Sequence, residues 1–185
     1  MVIGIQITDL LDLEKTIAAE IFADREFVWE VLSDITEFIR KKGKTLNPEE
    51  YESRGDDVYI SKSAKIYPSA MITGPCIIDH GAEIRHCAFI RGSAIVGKNA
   101  VVGNSTELKN VILFDSVQVP HYNYVGDSVL GFKAHMGAGA ITSNVKSDHS
   151  LTTFRFGEEK VPTGMKKFGA IIGDFTEIGC NSVLN

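Results

Sequence analysis

One periodicity restricts what this chain can become. From Ile60 an aliphatic residue recurs at every sixth position, through Ile66, Ile72, Ile78, Ile84, Ile90, Val96, Val102 and Leu108, and Phe114 extends the series. A second series of small residues sits four positions later: Ala64, Ala70, Cys76, Ala82, Ala88, Ala94, Ala100 and Thr106. A helix repeats at about 3.6 residues and a lone amphipathic strand at about two, so neither carries a strict period of six. The pattern predicts a prism of stacked coils. Each hexad supplies a short strand and a turn, and three hexads close one triangular coil. The aliphatic side chain fills the interior, and the small residue sits near the corner, where a bulky group does not fit. Each coil buries its apolar side only against its neighbours, so the domain is quasi-one-dimensional. Parallel crossovers are ordinarily right-handed, and the period by itself does not set the hand.

The regularity is interrupted in informative places. The step shortens to five from Phe114 to Val119 and from Val125 to Leu130, resumes with Met136 and Thr142, and returns at Ile172, Ile178 and Leu184. Residues 145–171 are therefore an excursion from the coil, of a length usually tied to function or mobility; its FRFGEEKV predicts a small hairpin. Residues 1–57 lack the repeat. Leu10 to Phe22 and Arg25 to Lys42 read as two helices, the second with Val28, Val31, Leu32, Ile35, Phe38 and Ile39 on one face, Asp24 as its N-cap and Gly43 past its end. A solenoid needs its open end covered, so 1–57 is expected to be an N-terminal helical cap on a β-helix domain spanning 58–185. Leu184 opens a hexad that stops at Asn185, which reads as a chain cut within its coil.

Charge and cysteines narrow the function classes. A formal net charge of −5 offers no field for nucleic acid or an anionic membrane, so an anionic ligand must be held by a few local cations. Cys76, Cys87 and Cys180 form no CxxC pair and are odd in number, which points to reduced thiols and a cytoplasmic protein. The N-terminal stretch has no basic region followed by an apolar one, as a secretory signal requires, and no apolar run is long enough to span a bilayer.

Residues 119–145, VPHYNYVGDSVLGFKAHMGAGAITSNV, carry the chemistry-bearing pattern. His121, Tyr124, Val125-Gly126-Asp127, Gly137-Ala138-Gly139 and Asn144 resemble the acetyltransferase domain of the bacterial bifunctional enzyme that acetylates glucosamine 1-phosphate and then uridylylates it. They are also similar to archaeal sugar-1-phosphate nucleotidyltransferases with an amino-sugar acetyltransferase domain. The whole chain resembles a stand-alone group of UDP-N-acetylglucosamine pyrophosphorylase relatives. The resemblance implies a left-handed parallel β-helix, an exception to the crossover rule, and a homotrimer with active sites between subunits. It puts His121 at the general base, which takes a proton from the sugar amine as it attacks the acetyl-CoA thioester, a task suited to a group titrating near neutrality. Tyr124 and Asn144 fall on residues that hold the amino sugar. Arg91, Lys109 and Lys167 fall on cations near its phosphate, with Lys166 and Lys146 as neighbouring choices. Gly137, Ala138 and Cys180 fall at the acetyl-CoA.

The chain also departs from that pattern. His135 stands where the family often has Asn opposite the sugar, and Cys180 where the bifunctional enzyme has Ser. The family's CoA site continues into coils beyond residue 185. No GxGTR-like loop for nucleotidyl transfer is present. The expectation is an acetyl-CoA-dependent N-acetyltransferase acting on an amino-sugar 1-phosphate in nucleotide-sugar biosynthesis. One alternative is a non-catalytic sugar-phosphate-binding trimer. A zinc hydratase of the γ-carbonic-anhydrase type, drawing on His80, His86, His121 and His135, ranks below both, because no HxxxxH pair is present.

Overall fold

A computed structural model describes residues 6–185; the first five residues of the expected cap lie outside the described part. From Val58 the chain winds into a left-handed parallel β-helix of about five turns. Three faces run the length of the stack. The first is built from Val58–Ser61, Cys76–Ile78, Ala94–Val96 and the second halves of Glu107–Leu113 and Tyr124–Leu130, followed by Ile171–Ile172. The second runs from Lys65–Ile66 through Glu83–Ile84, Val101–Asn104, Gln118–His121 and His135–Met136 to Glu177–Ile178. The third runs from Met71–Ile72 through Phe89–Ile90 and the first halves of the two long strands to Ile141–Thr142 and Val183–Leu184. Glu107–Leu113 and Tyr124–Leu130 pass a corner without a break and so join the first and third faces.

The hexad residues fill the interior as their period requires. Ile78, Ile84, Ile90, Val96, Val102, Leu108, Val119, Val125, Leu130 and Met136 are all fully buried. Phe114 does not continue the interior series as expected: Leu113 pairs with Val96 and Leu130, so the first short step falls between Leu108 and Leu113, and Phe114 is buried instead against Phe22 of the N-terminal segment. The two five-residue steps shorten the coil, so that Val111 pairs with Ala94 and with Ser128 while Cys76 pairs with an Ala94 one residue further off in sequence. Corners are made by single residues in the left-handed region. Cys87, Ser93, Asn99, Ser105, Asn110, Ser116, Tyr122, Asp127 and Lys133 all have φ between 49° and 61°. Their spacing follows the hexads, including the shortened steps. A Cβ is disfavoured in this region, and the polar Asn, Ser and Asp at most of these corners tolerate it best.

The N-terminal segment differs from expectation in form and place. Instead of the two expected helices it makes a single α-helical turn at Ile7–Leu10, 3-10 turns at Leu13–Lys15, Ala19–Phe22 and Val28–Ser33, and then the α-helix Ile35–Gly43. Asp24 adopts φ 59° and breaks the chain direction rather than capping, and Asp34 precedes the helix. Gly43 is the last helical residue, pressed against Tyr59. The segment lies along the first face rather than over an open end. The helix touches Cys76–Ile78, Ala94–Val96 and Glu107–Leu113, and the turn Val28–Ser33 touches Tyr124–Leu130. The reason is in the strands. Ile77, Ile95, Ile112 and Val129 point outward between two inward residues and would leave an apolar ladder in water; all four are fully buried under the segment. Burying each is worth about 1.5–3 kcal/mol. The edge of the first coil is covered by Tyr51–Ser53, paired antiparallel to Val58–Ser61. The excursion forms the hairpin Thr153–Phe156 with Glu159–Pro162. It docks by Phe154 and Phe168 on Trp29. Among the described residues no helix is long and apolar enough to cross a membrane.

Candidate active site

The motif residues divide between two corners of one coil. His121 ends its strand on the second face, opposite Asn104. Its side chain is exposed and has no hydrogen-bond partner among the described residues. Its backbone is fixed on both sides. The N–H donates to Asn123 Oδ1 at 3.1 Å, and the carbonyl accepts from Gly139 N at 3.0 Å. Asn123 is itself buried, and its amide donates to the carbonyls of Gly137 and Ala140 at 2.9 and 3.0 Å. It ties the His121 corner to the Gly-Ala-Gly turn of the next coil. Cys180 follows one coil further on. A Cβ at Gly137 would meet Cys180 N at 2.7 Å and its Sγ at 3.0 Å, and Ala138 accepts from Asn181 N. The structure therefore brings Gly137, Ala138 and Cys180 together beside His121.

The second corner is organised by Asp127, which the motif contains but to which the sequence assigned no role. It is 3% exposed, with φ 49°. Its carboxylate accepts from Lys109 Nζ at 3.0 and 3.1 Å, from Asn110 Nδ2 at 3.0 Å and from Asn144 Nδ2 at 2.6 Å. Asn110, Asp127 and Asn144 are equivalent corner positions of three successive coils, and their spacing of seventeen residues was the available signal. Asn144 Nδ2 also donates to the Tyr124 hydroxyl at 3.1 Å. Asn144 Oδ1 and the Tyr124 proton stay free for a ligand among the described residues, so the pair offers one acceptor and one donor. The neck of the excursion closes over this corner. Phe168 N donates to Asn144 O at 3.0 Å and Gly169 N to Asp127 O at 2.8 Å. Gly169 is required there, because a Cβ would lie 2.1 Å from Gly126 O.

The expected phosphate cations are placed unequally. Lys109 is held by Asp127. Arg91 donates to Glu107 Oε1 at 2.9 Å, and this bond and charge raise its pKa further; Glu107 pairs in register with Tyr124. Lys167 is exposed at the excursion neck, its backbone bridged to Val145, with no ion pair among the described residues. Lys166 is likewise exposed, and Lys146 Nζ donates to Leu151 O. A groove of about 830 Å³ runs from Asn144 past Lys146 and Arg155 to Leu184. His135 lies on the second face in register with Gln118, its Nδ1 on Glu177 Oε2 at 2.6 Å, away from the Asp127 corner. His80 contacts Asp79, and His86 packs on Tyr67. Among the described residues no three His, Cys, Asp or Glu converge as a metal site.

Comparison with known proteins gives this geometry a context. The chain is 41% identical over 76 residues to the bifunctional protein GlmU of Methanococcus aeolicus, covering 41% of this chain and 18% of that protein. It is 40% identical over 107 residues to the bifunctional protein GlmU of Trichormus variabilis, covering 58% of this chain and 20% of the relative. The chain thus spans about a fifth of the length of these relatives. A solved structure of a perosamine N-acetyltransferase mutant from Caulobacter crescentus, with CoA and GDP-perosamine, overlays 45% of this chain on 44% of its own, with 26% identity and a TM-score of 0.39. The profile of the GMPPB C-terminal domain matches residues 72–185, well over half of the chain. The stacked coils that carry both corners of the site lie almost wholly within that match, and the chain belongs to the GMPPB C-terminal domain family.

Proposed function

We propose that this chain is an acetyl-CoA-dependent N-acetyltransferase acting on an amino-sugar 1-phosphate, glucosamine- or galactosamine-1-phosphate, in nucleotide-sugar biosynthesis. The observation that carries this reading is the state of His121. Its imidazole is exposed and unengaged, while its backbone is locked through Asn123 to the Gly-Ala-Gly turn. A base so held can take the proton from a sugar ammonium and leave a nucleophilic amine. The amine attacks the thioester carbonyl, a C–N bond forms, the C–S bond breaks and the CoA thiolate leaves. Asn144 Oδ1 and the Tyr124 hydroxyl face the sugar, and Lys167, with Arg91 and Lys109, faces its phosphate. Gly137, Ala138 and Cys180 line the thioester. The assembly is a homotrimer, with Tyr122, 63% exposed beside His121, at the contact between subunits. Residues 1–57 serve as the cover of the acyltransferase domain, 58–185.

The test is thiol release from acetyl-CoA with a panel of amino sugars and their 1-phosphates. Release should depend on one amino-sugar phosphate. His121→Ala should lower kcat roughly 10²–10⁴-fold with little change in KM; wild-type turnover in that variant would remove the role. A second reading, a non-catalytic sugar-phosphate module, draws support from the pairing of Arg91 with Glu107 and of Lys109 with Asp127, which neutralises two of the three cations. Binding of a sugar phosphate without any thiol release would favour it.

A further inference from the structure

The groove that begins at Asn144 is larger than the substrate of the proposed reaction requires. Its volume of about 830 Å³ lies high in the range of roughly 300–1,000 Å³ that holds ligands of drug size. One hexosamine ring with a single phosphate would leave much of it empty. The groove also starts where the sugar is placed. Asn144 lines its head, and from there it runs beneath the hairpin to Val183 and Leu184. A long substituent on the sugar therefore has a channel to enter.

The walls say what that substituent carries. Lys146 and Arg155 line the groove, and no Asp or Glu side chain does. This stands out in a chain of net charge −5, whose four other clefts are each lined by at least one Asp or Glu. Lys146 Nζ donates to Leu151 O at 3.1 Å and to Ser150 Oγ at 3.4 Å, which holds the ammonium in place and leaves its third N–H for a ligand. Arg155 is exposed on the strand Thr153–Phe156, with no ion pair among the described residues, and its guanidinium suits a phosphate. Asp148, near Lys146 in sequence, accepts from Ser150 N at 2.9 Å and does not line the groove. Lys146 and Arg155 are distinct from the cations assigned above to the phosphate on C1, so they offer a second anion site further along. Ser143 and Thr153 add hydroxyls, and Val183 and Leu184 supply apolar wall beyond them.

We propose that this groove binds the second phosphate and the nucleoside of a nucleoside-diphosphate-linked amino sugar, with Lys146 and Arg155 on the phosphate and the base against Val183 and Leu184. The inference rests on the proposed transfer at His121 and widens its substrate from the bare 1-phosphate to the nucleotide-linked amino sugar. Occupancy of the groove is measured without turnover. The whole chain is titrated calorimetrically with UDP, GDP, UMP, GMP, uridine and inorganic phosphate at constant ionic strength. Saturable binding is expected for UDP or GDP, about ten-fold tighter than for the matching monophosphate, and not for uridine or inorganic phosphate. Arg155→Gln and Lys146→Gln should each weaken it about ten-fold; both side chains are exposed, so neither change threatens the fold. In thiol release, KM should be lower for the nucleotide-linked amino sugar than for its 1-phosphate, and Arg155→Gln should raise the first far more than the second. Absence of saturable heat with both UDP and GDP would overturn the inference, while thiol release with an amino-sugar 1-phosphate in the same preparation would leave the transferase reading standing. Inorganic phosphate binding as tightly as the diphosphates, or diphosphate binding unchanged in both variants, would overturn it too. Diphosphate binding lost in the two variants, with no thiol release from any amino sugar, would uphold the groove and remove the transferase.

Discussion

Replacing Asp127 with alanine removes the acceptor for four hydrogen-bond contacts at once, from Lys109, Asn110 and Asn144. Breaking a buried ion pair from one side costs about 3–5 kcal/mol. Lys109 is 25% exposed and recovers some hydration, which places the loss near the lower end. Alanine also accepts the left-handed corner less well than aspartate, adding up to about 1 kcal/mol. The expected cost is therefore roughly 3–4 kcal/mol. Asp127→Asn retains one acceptor oxygen and the corner geometry and should cost about half as much. The assay is urea unfolding with the midpoint read at constant m. The pairing gives a further check: Lys109→Met combined with Asp127→Ala should be less destabilising than the sum of the two, since the stranded charge is then absent. Were Asp127→Ala to cost under about 1 kcal/mol, or were the two effects simply additive, the corner ladder would not be holding the site.

Gly139 has φ 72°, and a Cβ there would lie 2.4 Å from Asn181 Oδ1, so Gly139→Ala should destabilise by about 1–3 kcal/mol and raise the KM for acetyl-CoA; equal melting and KM would refute this. Burial pushes the Cys76 thiol up to about 12, while Cys87 and Cys180 are exposed. A thiol reagent should thus label two cysteines in the native protein at neutral pH and the third only after denaturation. Asp115 carries a pKa raised by burial, so its ionisation opposes folding: its contribution to stability is full at low pH and falls as pH rises through the carboxylate range. Asp115→Asn should then raise the melting temperature at neutral pH and leave it unchanged in acid. Trp29 is 6% exposed and contacts the hairpin through Phe154; Phe154→Ala should shift its emission to the red.

The interior of the coil was readable from the sequence because a hexad residue has one environment in every coil. Ile84 and Val102 are buried for the same reason. The short step from Val125 to Leu130 appears directly in the register, while the first falls between Leu108 and Leu113, because the adjacent Phe114 is apolar for the sake of the N-terminal segment. The N-terminal segment was less readable because its shape answers to another surface. CII and AIV carry an apolar residue facing out as well as in, and that outer ladder pulled the segment along the flank and bent its apolar stripe into short turns. At the candidate site, the motif singled out His121, Tyr124 and Asn144, and the fold then grouped Tyr124 with Asn144. It did not reveal that Asp127 and Asn123 fix them. Hydrogen bonds across successive coils depend on which residues share a corner, and that emerges only once coil length is known.

The excursion leaves the stack after Asn144 and rejoins it so that Val129 pairs with Ile171 and His135 with Glu177. The coils on either side are direct neighbours, as if nothing had been inserted. The detour is in this sense a cassette: its length and content can change while the count of the stack is kept. A chain with the same two corners is then free to carry a different detour above them without disturbing the coils beneath. The neck at Phe168, Gly169 and Ala170, which bonds to Asn144, Asp127, Ser128 and Val129, ties it to the coil, and Phe154 anchors the hairpin on Trp29.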